Sequence, residues 1–197
     1  MSALKERLLA NRLILFDDFY AKAEQFTRML LNWNKTHNLS GAKNDRDIEK
    51  HIFDSVYPLS FLDDFSNCMD IGAGAGFPGL ILAMAKPRVR FTLVEPLNKR
   101  ASFLQFATAI LHIDNAFVID KRVEQTPIVT YDLIVSRAVS DAKTVYDLAL
   151  PFMNSRSFLL LYKGAKTAAK EAGAIGAKIV GAAHATYLLV GRREANV

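Results

Sequence analysis

Apolar residues recur along the chain in two rhythms, and the change falls near residue 66. Before it, Phe19, Ala23, Phe26, Leu30 and Trp33 repeat at steps of three and four residues. That stripe predicts a helix over residues 18–34, with Asp17 or Asp18 as its N-cap. The stretch THNLSGAKND then interrupts with Asn, Ser and Gly, a loop composition. Asn44 or Asp45 caps a further helix that carries Ile48, Ile52 and Val56 and ends before Pro58. From Ser66 onward, NCMDI, RFTLVE, AFVID, YDLIVS and SFLLLY are short apolar runs separated by helix-compatible segments. Such alternation predicts a parallel sheet covered on both faces. The tail AKIVGAAHATYLLVGRRE offers two more strands in a hairpin, although GAAHA is poor strand sequence. The alanine-rich KGAKTAAKEAGAIGAK reads as a solvated helix. The expected organisation is a helical cap over residues 1–65 and a doubly wound α/β domain over 66–197, together one globular unit.

Composition changes this picture little. The 197 residues suffice for one such domain with a helical extension and a full core. Apolar residues make up 51% and charged residues 23%, as in ordinary globular proteins. No window approaches the roughly 18 apolar residues of a membrane span. MSALKERLLANR mixes acids and bases among its leucines, unlike a signal peptide, so a cytoplasmic, monomeric protein is expected. The single cysteine, Cys68, excludes an internal disulfide framework and a cysteine-based zinc site. A net charge of +5 favours an anionic partner only weakly. No run of about five like charges forms a basic tail, so a basic surface must be assembled by folding.

The chemistry starts at MDIGAGAGFPG, residues 69–79. Gly72, Gly74 and Gly76 suit a strand-to-helix turn whose backbone approaches a ligand closely, and Pro78 suits the first turn of the helix behind it. The dinucleotide fingerprint would need a third glycine where Phe77 stands. Asp70 closes the strand, where such sheets bind ligands. A carboxylate suits a diphosphate poorly, but suits the ammonium and sulfonium of S-adenosylmethionine. A tight turn without ligand is the plain alternative. Glu95 ends RFTLVE, 23 residues after Gly72 and close to the spacing of about 20 that sets an acid on a ribose. DKRVEQ, at the end of the next strand, belongs beside the adenine. Backbone groups of Val123 and Glu124 can bond the base there, with Val123 over its face, unless the segment is merely a solvated loop.

The fourth run ends in Ser136, Arg137, Ala138 and Val139, where a transferred methyl would emerge. Methyltransferases acting on exocyclic base amines carry an Asn/Asp-Pro-Pro-aromatic tetrad at this place, so that chemistry is disfavoured. Cytosine C5 methylation needs a thiolate, and Cys68 lies inside the first strand. Metal-assisted O-methylation wants clustered acids and histidines, which this region lacks. Guanine N7 remains: it has a free lone pair and loses no proton, so positioning and electrostatics suffice. Arg137 is the candidate catalytic residue. It can bind an RNA phosphate, guanine O6 or the cofactor carboxylate, O6 and phosphate being preferred because a contact at N7 would compete for the lone pair. Pairing with a structural acid is its plain alternative.

WNKTHNLS, KHIFDS, DIGAGAGFPG, NKRASFL, RVEQ, SRAV and YKG occur in an order that resembles the glucose-inhibited division protein B family of bacterial small-subunit ribosomal RNA methyltransferases. The resemblance spans about residues 30 to 165. It implies a class I, Rossmann-like methyltransferase fold preceded by helices. It also implies methyl transfer from S-adenosylmethionine to N7 of a guanosine in a stem-loop of the 16S rRNA decoding region. Carried over by position, Gly72, Phe77, Val123, Glu124 and Arg137 contact the cofactor, with Arg137 facing its pocket. Lys99, Arg100, Arg122 and Lys163 make a positive rim suited to rRNA phosphates. The C-terminal strands depart from the family pattern, and the helices before Trp33 match it only in character.

His51, Asp54 and Ser55 can share one helix face. A hydrolase triad is disfavoured because the serine has no nucleophile elbow. Docking of the helical cap on the sheet is the favoured reading, and contact with cofactor or RNA the other. Trp33 is assigned to the core, while His37 and Asn38 lie in a loop able to border the pocket. Three competitors remain: a small-molecule methyltransferase, for which a basic rim has no use; an NAD-binding module, opposed by Phe77 and Asp70; and a non-enzymatic RNA-binding protein, opposed by the intact cofactor residues.

Overall fold

The five apolar runs become five parallel strands, and the tail adds an antiparallel hairpin at one edge. The computed structural model describes residues 2–181 and 185–191. Its strands are β1 (Asn67–Ile71), β2 (Arg90–Val94), β3 (Ala116–Ile119), β4 (Leu133–Arg137), β5 (Phe158–Lys163), β6 (Lys178–Gly181) and β7 (Thr186–Gly191). They form one sheet in the order β3-β2-β1-β4-β5-β7-β6. Only β7 runs against its neighbours, pairing antiparallel with both β5 and β6. The expected GAAHA connection falls partly on residues 182–184, outside the described residues.

Successive strand residues point to opposite faces. Cys68, Phe91, Leu133, Val135 and Leu160 join a core with α1 (Ser2–Ala10), α2 (Asp17–His37), α3 (Asp45–Val56), α4 (Gly79–Ala85) and α5 (Asn98–Ile110). Met69, Ile71, Ile134, Leu159 and Leu161 join the other with α6 (Ala142–Ala149) and α7 (Ala165–Ile175). Burial on both faces is why β1, β2, β4 and β5 read as apolar runs, whereas the edge strand β3 leaves Phe117 exposed. Among the described residues, no helix is long and apolar enough to cross a membrane.

Local chemistry sets the helix ends. Asn44 caps α3 by accepting from the Asp47 N–H at 3.0 Å, and Asp47 accepts in return from the Lys43 N–H at 2.9 Å. Asp17 and Asp18 do not cap α2. The cap position is Phe16, and both acids lie inside the first turn, where a helix favours negative charge. Their carboxylates pair with Lys5 and Lys22, each at 2.9 Å. The alanine-rich helix is also less solvated than its composition suggests, because Ala168, Ala172 and Ile175 of α7 are buried against the sheet. Trp33 is half-buried and packs against Phe103 with ring centroids 5.4 Å apart.

Two tyrosines lock α3 to the sheet. The Tyr162 hydroxyl donates to the Ser55 carbonyl at 2.9 Å and the Tyr187 hydroxyl to the Asp54 carbonyl at 3.0 Å. Both carbonyls lie in the last turn of α3, and the N–H that would serve Asp54 is missing because Pro58 stands four residues on. From α2, Phe26 reaches Phe77 at 5.4 Å and Phe103 at 6.0 Å, so the same core supports the glycine-rich turn. Phe26→Ala is expected to lower the unfolding free energy by about 3–5 kcal/mol in urea denaturation. A drop below about 1 kcal/mol would show that the ring does not support this core.

Candidate active site

Between β1 and β4 the winding of the sheet reverses, and ligands bind such sheets in the crevice beyond the strand ends at that point. A cleft of about 490 Å³ opens there, within the range of small-molecule sites. The turn after β1 contributes Gly72, Gly74 and Phe77, the end of β2 contributes Glu95, and the end of β4 contributes Arg137 and Val139. The helical segment closes the other side with Leu39, Ser40, Gly41 and His51.

Gly72 has a φ of +72°, in the left-handed region, and a methyl of Val139 occupies the place a Cβ would take. Val139 comes back over the turn because Ala138, at φ +57°, bends the chain immediately after β4. A non-glycine residue at such a φ is uncommon and concentrates at functional sites. Glu95 is 2% exposed and braces the turn from the side. Its Oε2 accepts from the Gly74 N–H at 2.8 Å and its Oε1 from the Leu97 N–H at 2.9 Å. Each oxygen keeps further acceptor capacity. Gly76, also expected at the ligand, does not line the cleft: it lies beneath, packed against Leu80 and Leu104, with its N–H donating to the Ala73 carbonyl at 2.8 Å.

Asp70 corrects the expectation of a carboxylate beside a cation. Its side chain is fully buried under the turn and does not line the cleft. Oδ2 accepts from the Gly79 N–H at 2.7 Å, while Oδ1 has no hydrogen-bond partner among the described residues. Burial pushes the carboxyl up to about 7, against the opposing pull of the Gly79 N–H and the Arg137 charge. A Cβ on Gly79 would come within 2.6 Å of the Asp70 side chain and of Leu93, so α4 can start this close to β1 only with glycine there.

At the end of β4, the Ser136 hydroxyl donates to the Ile71 carbonyl at 2.9 Å and joins the two central strands. The next residue, Arg137, lays its guanidinium 4.9 Å from the centroid of the Phe77 ring, with Nη1 3.3 Å from Nδ1 of His51. Burial lowers the Arg137 pKa, but an arginine starting so high stays charged. His51 is pushed down to about 4 by burial first and then by the charges of Arg137 and Lys50. Cys68 is fully buried, which pushes its thiol up and away from a nucleophilic thiolate.

Three further expected residues sit elsewhere. Val123 and Glu124 begin a short 3-10 turn; the Val123 side chain enters the core, Glu124 is exposed, and neither lines the cleft. Lys163 is not a free cation on a rim. Its side chain is 10% exposed, and its ammonium binds Glu171 at 2.9 Å and the Ser140 carbonyl at 2.6 Å. Lys99 and Arg100, by contrast, occupy the first turn of α5. They border an adjoining hollow of about 470 Å³ together with His37 and Asn38, and Arg100 also lines the main cleft. Arg122 is exposed in the turn after β3. The Leu39–Gly41 wall is held by Asn34, whose amide donates to the Ser40 hydroxyl at 2.9 Å and to the Ala42 carbonyl at 3.0 Å.

Asp70 and His51 act oppositely on stability. Asp70 in the folded chain lies above its unfolded value of about 3.9, so its contribution is present in acid and is lost as the pH rises through 7. His51 lies below its unfolded value of about 6.5, so its contribution is lost as the pH falls toward 4. Asp70→Asn removes only the first. Its stability is expected to climb more steeply than the parent's between about pH 4 and 7 in denaturation curves. Parallel curves would contradict the buried acid.

A sequence model of the family described as rRNA small subunit methyltransferase G (GidB) matches residues 19–184. The ribosomal RNA small subunit methyltransferase G of Wolinella succinogenes is 45% identical over 164 residues, covering 83% of this chain and 85% of its own. That of Helicobacter hepaticus is 49% identical over 140 residues, covering 70% and 76%. Among solved structures, the ribosomal protein L11 methylase of Lactobacillus delbrueckii subsp. bulgaricus superposes with a TM-score of 0.60 at 11% identity, over 80% of this chain and 83% of its own. M. jannaschii TYW2 in complex with AdoMet does so with a TM-score of 0.52 at 13% identity, over 71% and 73%. Those structures share the Rossmann-like methyltransferase fold, and the sequence match is more specific: the chain belongs to the rRNA small subunit methyltransferase G family.

Proposed function

We propose that this chain transfers the methyl group of S-adenosylmethionine to N7 of a guanosine in 16S rRNA. Family membership across residues 19–184 carries the reading, and the cleft supports it. S-adenosylmethionine, when bound, supplies an electrophilic methyl on a sulfonium. Glu95 offers two carboxylate oxygens to a ribose, the turn from Gly72 to Ala75 offers close backbone approach, and Arg137 offers guanidinium N–H groups to a carboxylate.

The titratable side chains of the cleft suit an acceptor that gives up no proton. Among the described residues lining it, Glu95 is braced by two backbone N–H groups and on this reading gives its remaining lone pairs to the ribose, and Nδ1 of His51 is engaged by Arg137. A nucleophile needing deprotonation would require a general base within reach. Guanine N7 needs none, and its methylation depends on alignment and on the field of the site.

Charge at the mouth supports a polyanionic substrate. Lys99 and Arg100 stand in the first turn of a 13-residue helix, where the helix dipole disfavours cations. Their placement costs local stability and is offset when phosphates bind there, with the exposed Arg122 as a further cation. Lys163 has a different role in this scheme: through Glu171, which also accepts from the Ala142 N–H at 2.8 Å, it fixes the segment that follows Arg137.

The test is methylation of small ribosomal subunits by the purified chain with methyl-labelled cofactor, followed by borohydride–aniline scission at N7-methylguanosine. Scission at a single 16S guanosine is expected; label on another base, or none in rRNA, would overturn the assignment. Independently, Lys99→Ala with Arg122→Ala is expected to weaken RNA binding and to flatten its log–log salt slope by about 0.7–0.9 for each phosphate that is no longer neutralised. An unchanged slope would remove these residues from the RNA surface.

A further inference from the structure

We propose that His51 is a positioning residue for methyl transfer, holding the Arg137 guanidinium against Phe77 and aiming its remaining N–H groups into the cofactor cleft. This role rests on the reading of Arg137 as a cofactor ligand and adds a residue from the helical segment to that site.

Valence sets the direction of the bond. A guanidinium has five N–H donors and no acceptor. At the 3.3 Å contact between Nη1 and Nδ1, the imidazole must therefore accept, which fixes the neutral ring with its proton on Nε2. Phe77 supplies the second restraint: the guanidinium carbon lies 4.9 Å from its centroid, and the imidazole centroid lies 5.4 Å from the same ring. A hydrogen bond in one direction and an aromatic face in another limit both the tilt and the rotation of the fork.

The identity of the holding group matters. A carboxylate in this place would bind the guanidinium more strongly, but it would also neutralise it and compete with an anionic ligand. A neutral imidazole orients the fork and leaves its full charge for the cleft. Surroundings keep the ring in that form, since burial and the charges of Arg137 and Lys50 outweigh the opposing pull of Asp47.

His51 is itself held. Its carbonyl accepts from the Ser55 hydroxyl at 2.7 Å, and the carbonyls of Ser55 and Asp54 accept from Tyr162 and Tyr187 of the sheet. Tyr162 pairs in register with Arg137 on the neighbouring strand. The strand that carries Arg137 and the helix that carries its acceptor are thus joined through one tyrosine, which sets their relative position.

The experiment is calorimetric titration of the full chain with S-adenosylhomocysteine, using His51→Asn, His51→Phe, Arg137→Ala and the double variant His51→Phe/Arg137→Ala. Asparagine places an amide oxygen where Nδ1 stands, whereas phenylalanine keeps the ring and removes the acceptor. His51→Phe is expected to weaken binding on the order of tenfold, His51→Asn to stay within about threefold of the parent, and the double variant to bind no more weakly than Arg137→Ala alone. Thermal unfolding establishes that each variant is folded, with His51→Leu replacing His51→Phe should that one not fold. Parent-like affinity in His51→Phe beside a weakened Arg137→Ala would overturn the proposal alone, as would additive losses or an asparagine variant as weak as the phenylalanine one. Parent-like affinity in Arg137→Ala would overturn the cofactor role of Arg137 and this inference with it, while leaving rRNA methylation to its own assay.

Discussion

The site depends on one close approach, that of the first residue of α4 to the last polar residue of β1. Asp70 accepts the Gly79 N–H at 2.7 Å in full burial, and Gly79 has no Cβ to hold the two elements apart. A buried polar group is costly unless bonded, so this bond fixes where α4 begins. The turn between them must then close over a short span, which is why its backbone enters the left-handed region at Gly72, Gly74 and Gly76. Three residues that line the cleft are referred to that turn: Glu95 is bonded to it, Phe77 ends it, and Val139 lies on it.

The helical segment completes the cleft. It shares a core with α4 and α5 through Phe26, Ile48 and Ile52, and it supplies the Leu39–Gly41 wall and His51. A sheet domain alone would leave Arg137 without its acceptor and the cleft without one side. Sheet and helical segment are therefore coupled through α3, whose last turn is bonded to two sheet tyrosines and whose middle reaches Arg137 in the cleft.

Much of this is legible from the residues alone, for identifiable reasons. Strands buried on both faces write themselves as unbroken apolar runs, and the sheet follows from them. The glycine-rich turn is legible because backbone geometry restricts the residue type. Side-chain direction is not written so plainly. Asp70 is correctly placed at a strand end, but strand alternation turns it under the turn, away from the cleft. Ala168 and Ala172 stand four apart on α7 and are buried, yet alanine is common on solvated helices too, so the buried stripe is hidden. Partners distant in sequence are the least legible. His51 and Arg137 are 86 residues apart, and Lys163 meets Glu171 only because a strand and the following helix fold back on each other.

On this reading the turn from Gly72 to Gly76 seats S-adenosylmethionine and not a dinucleotide. Calorimetric titration distinguishes the two ligands without reference to any acceptor: the purified chain is titrated with S-adenosylhomocysteine and, separately, with NAD, and both titrations are repeated on a Gly72→Val variant shown to be folded. A single saturable site for S-adenosylhomocysteine, no response to NAD, and disappearance of the site in Gly72→Val are expected. Saturable binding of NAD, or S-adenosylhomocysteine affinity unchanged in Gly72→Val, would show that the turn is not the seat of the methyl donor.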